Sequence, residues 1–333
     1  MSVRRSLIAF LIAALALLAL AASAGARPAT VHRSLHVSGQ EAKRTAKFWT
    51  APRMRRARPL SVVLDGRPAR RAAHRALPPS GVPHRVPALL AGATKKKASP
   101  KPRGQLSTLI ADPTLAPYRT AGRVFAIVGP YLVYCSATVV NTPNKSVVFT
   151  AGHCVNSGGP SSTWYGRHWA FVPGYHDGQR PYGTFVAREL WSSSQWAQSG
   201  NFDYDFAAAV LGRNSRGQRI GAAVGGRGFA TGQSRSQVFE ALGYPAVAGF
   251  NGESLWACNS PYLQDDPQPL PGGPAPLGIS CDMTAGASGG GWIIGGQSLN
   301  SVTSFGYEGL PNVLFGPYFG QAAWKLYSSA GKR

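Results

Sequence analysis

The sequence predicts an all-β fold for residues 108–333, and three observations indicate it. Gly (40) and Pro (26) together make up about a fifth of the 333 residues, which favours strands and turns over helix bundles. Short strand-like runs recur at nearly regular spacing between clusters of Gly, Pro, Asn and Ser, a pattern typical of β-sandwiches and barrels. A helix is predicted only at the end, over residues 318–329, directly after Pro317.

The predicted strands alternate with turn-forming segments along this domain. Two clear turns lie at residues 141–144 (NTPN) and 157–160 (SGGP), where Gly, Pro and Asn favour reversal of the chain. A single β domain of roughly 225 residues is normal for such folds. The strands are predicted at residues 123–128, 131–134, 138–140, 147–150, 169–172, 184–190, 206–211, 238–244 and 292–294.

The net charge of +22 is distributed unevenly along the chain. Residues 27–107 carry 19 Lys or Arg against two acids, whereas residues 108–333 carry 14 Lys or Arg against 11 acids, a balance of only +3. The apolar content of 44% excludes a wholly disordered chain. The like-charged, Pro-rich residues 27–107 cannot bury enough apolar surface to offset their chain entropy, so we predict a largely disordered basic pro-segment or arm. A short strand is possible within residues 60–64.

The first 26 residues have the three parts of a secretory signal peptide. Arg4 and Arg5 precede a 16-residue apolar run at residues 7–22, and small residues follow it at 23–26. An uncleaved anchor is the alternative, but a membrane helix needs roughly 20 apolar residues. We therefore predict a secreted, extracellular protein with no membrane span after removal of the signal. The low charge of the mature domain predicts no nucleic-acid partner.

All four cysteines lie in the predicted β domain. An even number of cysteines in an exported protein suggests two disulfides, for which three pairings are possible. Sequential pairing would close loops of about 20 residues, and each such bond stabilises a fold by roughly 3 kcal/mol. We predict neither a metal site nor a cofactor, because the sequence has no C-x-x-C motif and no His cluster. The cysteines are Cys135, Cys154, Cys258 and Cys281.

Three segments carry residues suited to nucleophilic catalysis. His153 follows the predicted strand 147–150, and Asp205 opens a strand so apolar that its buried carboxylate needs a partner. Ser288 is embedded in the glycines of residues 284–291, whose flexible backbone lets N–H groups converge beside a nucleophile. Each segment has an ordinary structural explanation when taken singly. The order His, Asp, Ser in an exported all-β domain is, however, that of the chymotrypsin triad.

The sequence resembles the trypsin-like (chymotrypsin-fold) serine peptidases, and most of all their secreted bacterial branch that includes the glutamyl endopeptidases. Residues 150–154 (TAGHC) are similar to the family's T-A-A/G-H-C, residues 205–207 (DFA) to D-I/F-A, and residues 286–290 (GASGG) to G-x-S-G-G. The likeness covers about residues 120–328. It implies two six-stranded antiparallel β-barrels with the site between them, the sequential disulfides and a C-terminal helix.

The resemblance also implies roles for the site residues. Ser288 is then the nucleophile, His153 the general base, and Asp205 the residue that orients the imidazole. The N–H groups of Gly286 and Ser288 would form the oxyanion hole. Asp203 is the rival third member, and we prefer Asp205 because the apolar strand begins immediately after it.

Candidate substrate-binding residues lie on both sides of Ser288. Asp282, six residues before it, stands where trypsin has its specificity acid, which would favour Arg or Lys at the cleavage site. Glutamyl endopeptidases have a His where this chain has Thr303, so a strict preference for Glu is not expected. Ser304, Phe305 and Gly306 resemble the strand that pairs with substrate by β-augmentation.

These observations predict a secreted serine endopeptidase that is made with a basic pro-segment. We expect it to act as a monomer on protein or peptide substrates through an acyl-enzyme intermediate. The predicted organisation is a signal peptide (1–26), a basic segment (27–107) and a peptidase domain (108–333). One alternative is a catalytically silent β-barrel module whose basic arm engages nucleic acid or an anionic cell envelope. Another is an active peptidase whose arm persists as a cell-surface tether.

Overall fold

The computed structural model describes residues 31–65, 77–89 and 106–333. The predicted signal peptide, residues 1–26, lies outside these ranges. None of the described helices has both the length and the apolar character that crossing a membrane requires. The described chain is built mainly from strands, which form two sheets packed against each other.

The described residues before 110 form several short elements that lie on the rest of the protein. Trp49 and Met54 are fully buried there, and the Trp49 ring lies 5.2 Å from that of Phe125, measured between centroids. The expectation of a largely disordered segment therefore does not hold for its described residues, because their few apolar side chains bury against the β domain instead of against one another. The elements are β1 (Val31–His36), α1 (Gly39–Phe48), α2 (Ala51–Arg56), β2 (Arg58–Pro59), β3 (Val62–Leu64), β4 (His84–Val86) and β5 (Ser107–Leu109).

Six further strands close into an antiparallel barrel. They are β6 (Ala121–Val128), β7 (Tyr131–Val139), β8 (Val147–Thr150), β9 (Ala170–Pro173), β10 (Phe185–Ser193) and β11 (Ala207–Leu211). The pairing order is β6, β7, β8, β11, β10, β9, and β9 returns to β6. Residues 131–134 and 138–140 were expected as separate strands, but they form one strand, since β7 pairs with β6 without interruption from Tyr131 to Thr138.

The second half of the domain forms the second sheet. Its strands are β12 (Gly228–Thr231), β13 (Val238–Gly243), β14 (Trp256–Asp265), β15 (Leu277–Ser280), β16 (Gly291–Ile294), β17 (Ser298–Val302), β18 (Phe305–Tyr307) and β19 (Val313–Gly316). β13 pairs with β14, β14 with β15, β15 with β19, and β19 with β18. β17 pairs with β16, and β16 with β13. Only Thr303 and Ser304 separate β17 from β18, so this interrupted strand closes a second ring of six.

The helices of the domain are short and lie outside the barrels. They are α3 (Ser194–Ser199), α4 (Ile220–Val224) and α5 (Gln321–Ala330). α5 confirms the predicted C-terminal helix, although it begins three residues later than expected. Its buried side chains include Ala323 and Leu326, which belong to the same apolar cluster as Phe149 and Phe206 of the first barrel.

Both disulfides are sequential, as the resemblance implied. Cys135 of β7 is bonded to Cys154, which lies in the turn after β8. Cys258 of β14 is bonded to Cys281, directly after β15. The first bond therefore fixes the residue next to His153 to the neighbouring strand, and the second fixes the start of the segment that leads to Ser288.

Candidate active site

His153 lies where β8 gives way to a 3₁₀ turn, Gly152–Cys154. Its backbone N–H donates to Oδ1 of Asp205 at 2.7 Å, and its Nδ1 lies 2.7 Å from Oδ2 of the same carboxylate. A carboxylate oxygen only accepts, so Nδ1 carries a hydrogen, and in the neutral imidazole Nε2 then has the free lone pair. Nε2 is buried, and no group within the described ranges hydrogen-bonds to it. The imidazole is thus held in the tautomer that a general base requires.

Asp205 is fully buried two residues before β11. Besides both contacts to His153, its Oδ2 accepts a hydrogen bond from Ser304 Oγ at 2.5 Å. The approach of Asp205 to the turn depends on Gly152, because a Cβ there would lie 2.7 Å from Asp205 Oδ1 and 2.6 Å from the Trp196 ring. This contact is the physical reason for glycine directly before His153.

Ser288 is 4% exposed and lies in the turn between β15 and β16. Its carbonyl oxygen accepts from Ser136 N–H at 2.8 Å, which attaches it to the first barrel. The next residue, Gly289, donates to Thr303 O at 2.7 Å. Since Ser304 contacts Asp205, a short network of hydrogen bonds joins the segment of Ser288 to the pair of Asp205 and His153. The three residues come from three separate elements that meet where the two barrels pack together.

Asp203, the rival acid, faces a different part of the protein. Its Oδ1 accepts from Leu270 N–H at 3.4 Å, and a Cβ on Gly273 would lie 2.5 Å from its Oδ2. Of the two acids, Asp205 is the one that contacts His153. Burial raises the pKa of Asp203 to about 6, and the charge of Asp266 adds to this rise, while Leu270 N–H and Arg235 oppose it.

The raised pKa of Asp203 predicts a pH-dependent cost in stability. The carboxyl group of Asp203 binds its proton more tightly in the folded protein than in the unfolded chain. The protonated carboxyl therefore contributes to the free energy of unfolding at low pH, and this contribution is lost as the pH rises from about 4 through about 6. Asp203→Asn keeps the carbonyl acceptor without the charge. We expect its free energy of unfolding to match that of the parent near pH 4 and to exceed it by up to about 3 kcal/mol at pH 8.

Urea unfolding of both proteins at pH 4, 6 and 8 measures this difference. Glu308→Gln, which removes one exposed carboxylate, is the matched control. A difference in free energy of unfolding between Asp203→Asn and the parent that stays constant from pH 4 to pH 8 would contradict the prediction.

The side chain of Asp282 is engaged by the N-terminal part of the chain. Its Oδ2 accepts from Leu106 N–H at 3.0 Å, and its Oδ1 from Ser107 N–H at 2.9 Å. These contacts lie at the start of β5, which pairs with β14. Both carboxylate oxygens of the predicted specificity acid therefore accept hydrogen bonds from backbone N–H groups of the same chain.

The remaining predicted substrate-binding residues lie beside Ser288. Oγ1 of Thr303 accepts a hydrogen bond from Trp292 Nε1 at 2.9 Å. Ser304 was predicted only as a substrate-binding residue, but its hydroxyl also donates to Asp205. Phe305 and Gly306 lie on β18. All four residues line a cavity of about 420 Å³ together with Ser288 and Asp282.

Sequence reasoning missed two features of the site. The ring of Trp196, in α3, lies edge-on to His153 with 6.3 Å between centroids. The cavity is also lined by residues 61–63 from the N-terminal segment. The apolar run at residues 60–64 was the only signal for the second feature, and it does not say where such a strand would pair.

Two groups of side chains within the described ranges could be taken for metal ligands. One is Cys135, His153 and Cys154, and the other is Cys258, Cys281 and Asp282. The cysteines of each group are bonded to each other, so their sulfur atoms do not provide the thiolates that such sites use. These donor sets do not fit a metal ion.

The similar proteins include several peptidases. No protein-family model matches the chain. The thermostable serine protease AL20 from an extremophilic microorganism is 39% identical, with a TM-score of 0.59 over 64% of this chain and 97% of that structure. Protease Anisep from Arthrobacter nicotinovorans is 37% identical, with a TM-score of 0.59 over 66% of this chain and 99% of that structure.

Two further matches are more distant or partial. A Glu endopeptidase structure is 21% identical, with a TM-score of 0.56 over 69% of this chain and 99% of that one, and it supports the fold alone. An extracellular metalloprotease of Bacillus subtilis (strain 168) is 32% identical over 130 residues, which is 38% of this chain. The match spans only 37% of that relative's length. From its likeness to AL20 and Anisep over nearly their whole length, the chain belongs to the trypsin-like serine peptidases.

Proposed function

We propose that His153, Asp205 and Ser288 are the catalytic triad of a secreted serine endopeptidase. One observation carries this proposal: Asp205 holds His153 by both its backbone and its Nδ1, and leaves a buried Nε2 with a free lone pair. A histidine held this way is the base that a serine nucleophile needs. The hydrogen bonds that join Ser288 to the same network support its role as the nucleophile.

The reaction proceeds in two halves. Ser288 Oγ attacks the carbonyl carbon of the peptide bond while His153 Nε2 takes the hydroxyl proton. Asp205 stabilises the imidazolium that forms. When the C–N bond breaks, His153 delivers the proton to the leaving amine, and an acyl-enzyme on Ser288 remains. Water then attacks this ester with His153 again as base, and the proton returns to Ser288 as the acid product leaves.

The developing negative charge on the carbonyl oxygen needs donors. We assign them to the N–H groups of Gly286 and Ser288. Gly286 has φ +96°, a backbone conformation that glycine adopts readily, and its N–H points to a carbonyl oxygen in the cleft, that of Leu60, at 3.1 Å. Loss of one such donor typically costs about 3 kcal/mol in the transition state.

The substrate is expected to be an extended peptide. β18, directly after the Asp205-bonded Ser304, offers backbone groups for β-augmentation. The two disulfides fit an oxidising compartment outside the cell, which agrees with the predicted signal sequence.

A fluorophosphonate probe tests this function, because it forms a covalent bond only with an activated serine. We expect prolonged incubation to add one probe per chain, on Ser288 by peptide mass analysis. Ser288→Ala removes the nucleophile and should remain unmodified. Ser236→Ala, at an exposed serine far along the chain from this motif, is the control. Equal modification of the parent and of Ser288→Ala would refute the proposal.

A further inference from the structure

Residues 58–64 of the N-terminal segment, here called the cleft segment, cross from one barrel to the other beside Ser288. β2 pairs in parallel with β7 of the first barrel, and Leu60 N–H donates to Tyr134 O at 2.9 Å. β3 then pairs in parallel with β18 of the second barrel, with Val62 opposite Phe305 and Leu64 opposite Tyr307. The segment is therefore hydrogen-bonded on both sides of the candidate active site.

The cleft segment uses the groups that the proposed reaction would offer to a substrate. The carbonyl oxygen of Leu60 accepts a hydrogen bond from the N–H of Gly286, one of the two assigned oxyanion donors. β3 occupies the edge of β18 on which a peptide would pair. Ser61, between these two contacts, lines the same cavity as Ser288. A peptide substrate and the cleft segment cannot occupy these positions together.

Side-chain packing holds the segment in place. Val62 and Leu64 pack against the apolar cluster of Phe305, Tyr307 and Leu310, while Val63 between them is 57% exposed. β1 and α2 upstream and β4 downstream attach the flanking chain to the two sheets. A tethered segment competes at an effective concentration on the order of millimolar, so substrate at lower concentration does not displace it readily.

We propose that the cleft segment is an intramolecular inhibitor that blocks the oxyanion donor and the substrate-pairing strand until it is displaced. This inference rests on the proposed function of Ser288. It assigns the N-terminal segment a regulatory role in the precursor, in contrast to a disordered arm or a tether. Residues 106–107, outside the cleft segment, engage the predicted specificity acid Asp282 separately.

The test compares rates of fluorophosphonate labelling in the complete chain and its variants. Val62→Asp with Leu64→Asp places two charges against the apolar cluster and should release β3. Val82→Asp places a charge on an exposed apolar residue of the same N-terminal part of the chain that does not line this cavity, and is the control. We expect the double variant to label at least tenfold faster than the parent, and Val82→Asp to label at the rate of the parent.

Hydrogen exchange and the mass of the chain provide further readouts. The amide of Gly286 should be protected in the parent and in Val82→Asp, and should exchange faster in the double variant, with the thermal unfolding of the domain retained. Equal labelling rates in all three proteins, or unchanged exchange of the Gly286 amide, would overturn the inhibitor proposal. Labelling of Ser288 in these proteins would still support the proposed function. Rapid self-cleavage at Leu60 would also overturn it, because the segment would then be a substrate. If Ser288 labels in none of the proteins, the proposed function fails, and the exchange of Gly286 still decides whether the segment covers the donor.

Discussion

Asp205→Asn is expected to lower kcat for peptide hydrolysis by about 10⁴-fold, the effect typical of this substitution in a serine triad. The parent carboxylate accepts from the backbone N–H of His153, from its Nδ1–H and from Ser304 Oγ. An asparagine presents its NH₂ group to one of these donors. The imidazole then moves its hydrogen to Nε2, where it can no longer take the proton of Ser288.

Asp203→Asn is the matched control, because it makes the same change two residues away on an acid that contacts Leu270 instead of His153. We expect its kcat to stay within about threefold of the parent, since it touches no reacting group. Hydrolysis of one peptide substrate, measured for proteins prepared and activated in the same way, gives both values. A large loss in Asp203→Asn together with a small loss in Asp205→Asn would reverse the assignment of the third triad member.

Gly289→Ala is expected to destabilise the fold by at least about 3 kcal/mol and to abolish labelling of Ser288. A Cβ at this position would lie 2.0 Å from Thr150 Oγ1 and 2.4 Å from Ser136 O. Its φ of +78° adds a backbone penalty for any residue with a side chain. The two barrels meet at this point, so the clash cannot relax without moving Ser288 away from β8.

Gly295→Ala is the control for this prediction. Gly295 has a similar positive φ of +55°, but a Cβ there would meet no heavy atom within 4 Å. Its cost should be limited to the backbone penalty of about 1 kcal/mol, and Ser288 should label normally. Urea unfolding and probe labelling of both variants decide the matter. Equal destabilisation by the two substitutions would show that the packing of Gly289 is unimportant.

Several strands of the domain could be predicted because their side chains alternate or are uniformly apolar. β8 was predicted with its observed bounds, and its four residues are all buried. β14 and β17 were missed, because β14 contains Pro261 and β17 reads SLNSV. β14 has no β-branched residue and β17 has only Val302, and both are stabilised by the pairing with their neighbours.

The sequence by itself was sufficient to predict the candidate site residues and the all-β fold in which they lie. Short motifs around His153, Asp205 and Ser288 have local physical requirements, such as the glycine that lets Asp205 approach the turn, and these requirements are visible as residue types at fixed spacing. The position of the N-terminal segment was decided only by the tertiary structure. Ser107 and Asp282 are 175 residues apart in the chain, and such a contact leaves no periodic or local signal. The prediction of disorder from the basic composition took no account of the surface that the barrels provide. Trp49 and Met54 are buried on that surface, and the described residues around them, 31–65, form helices and strands.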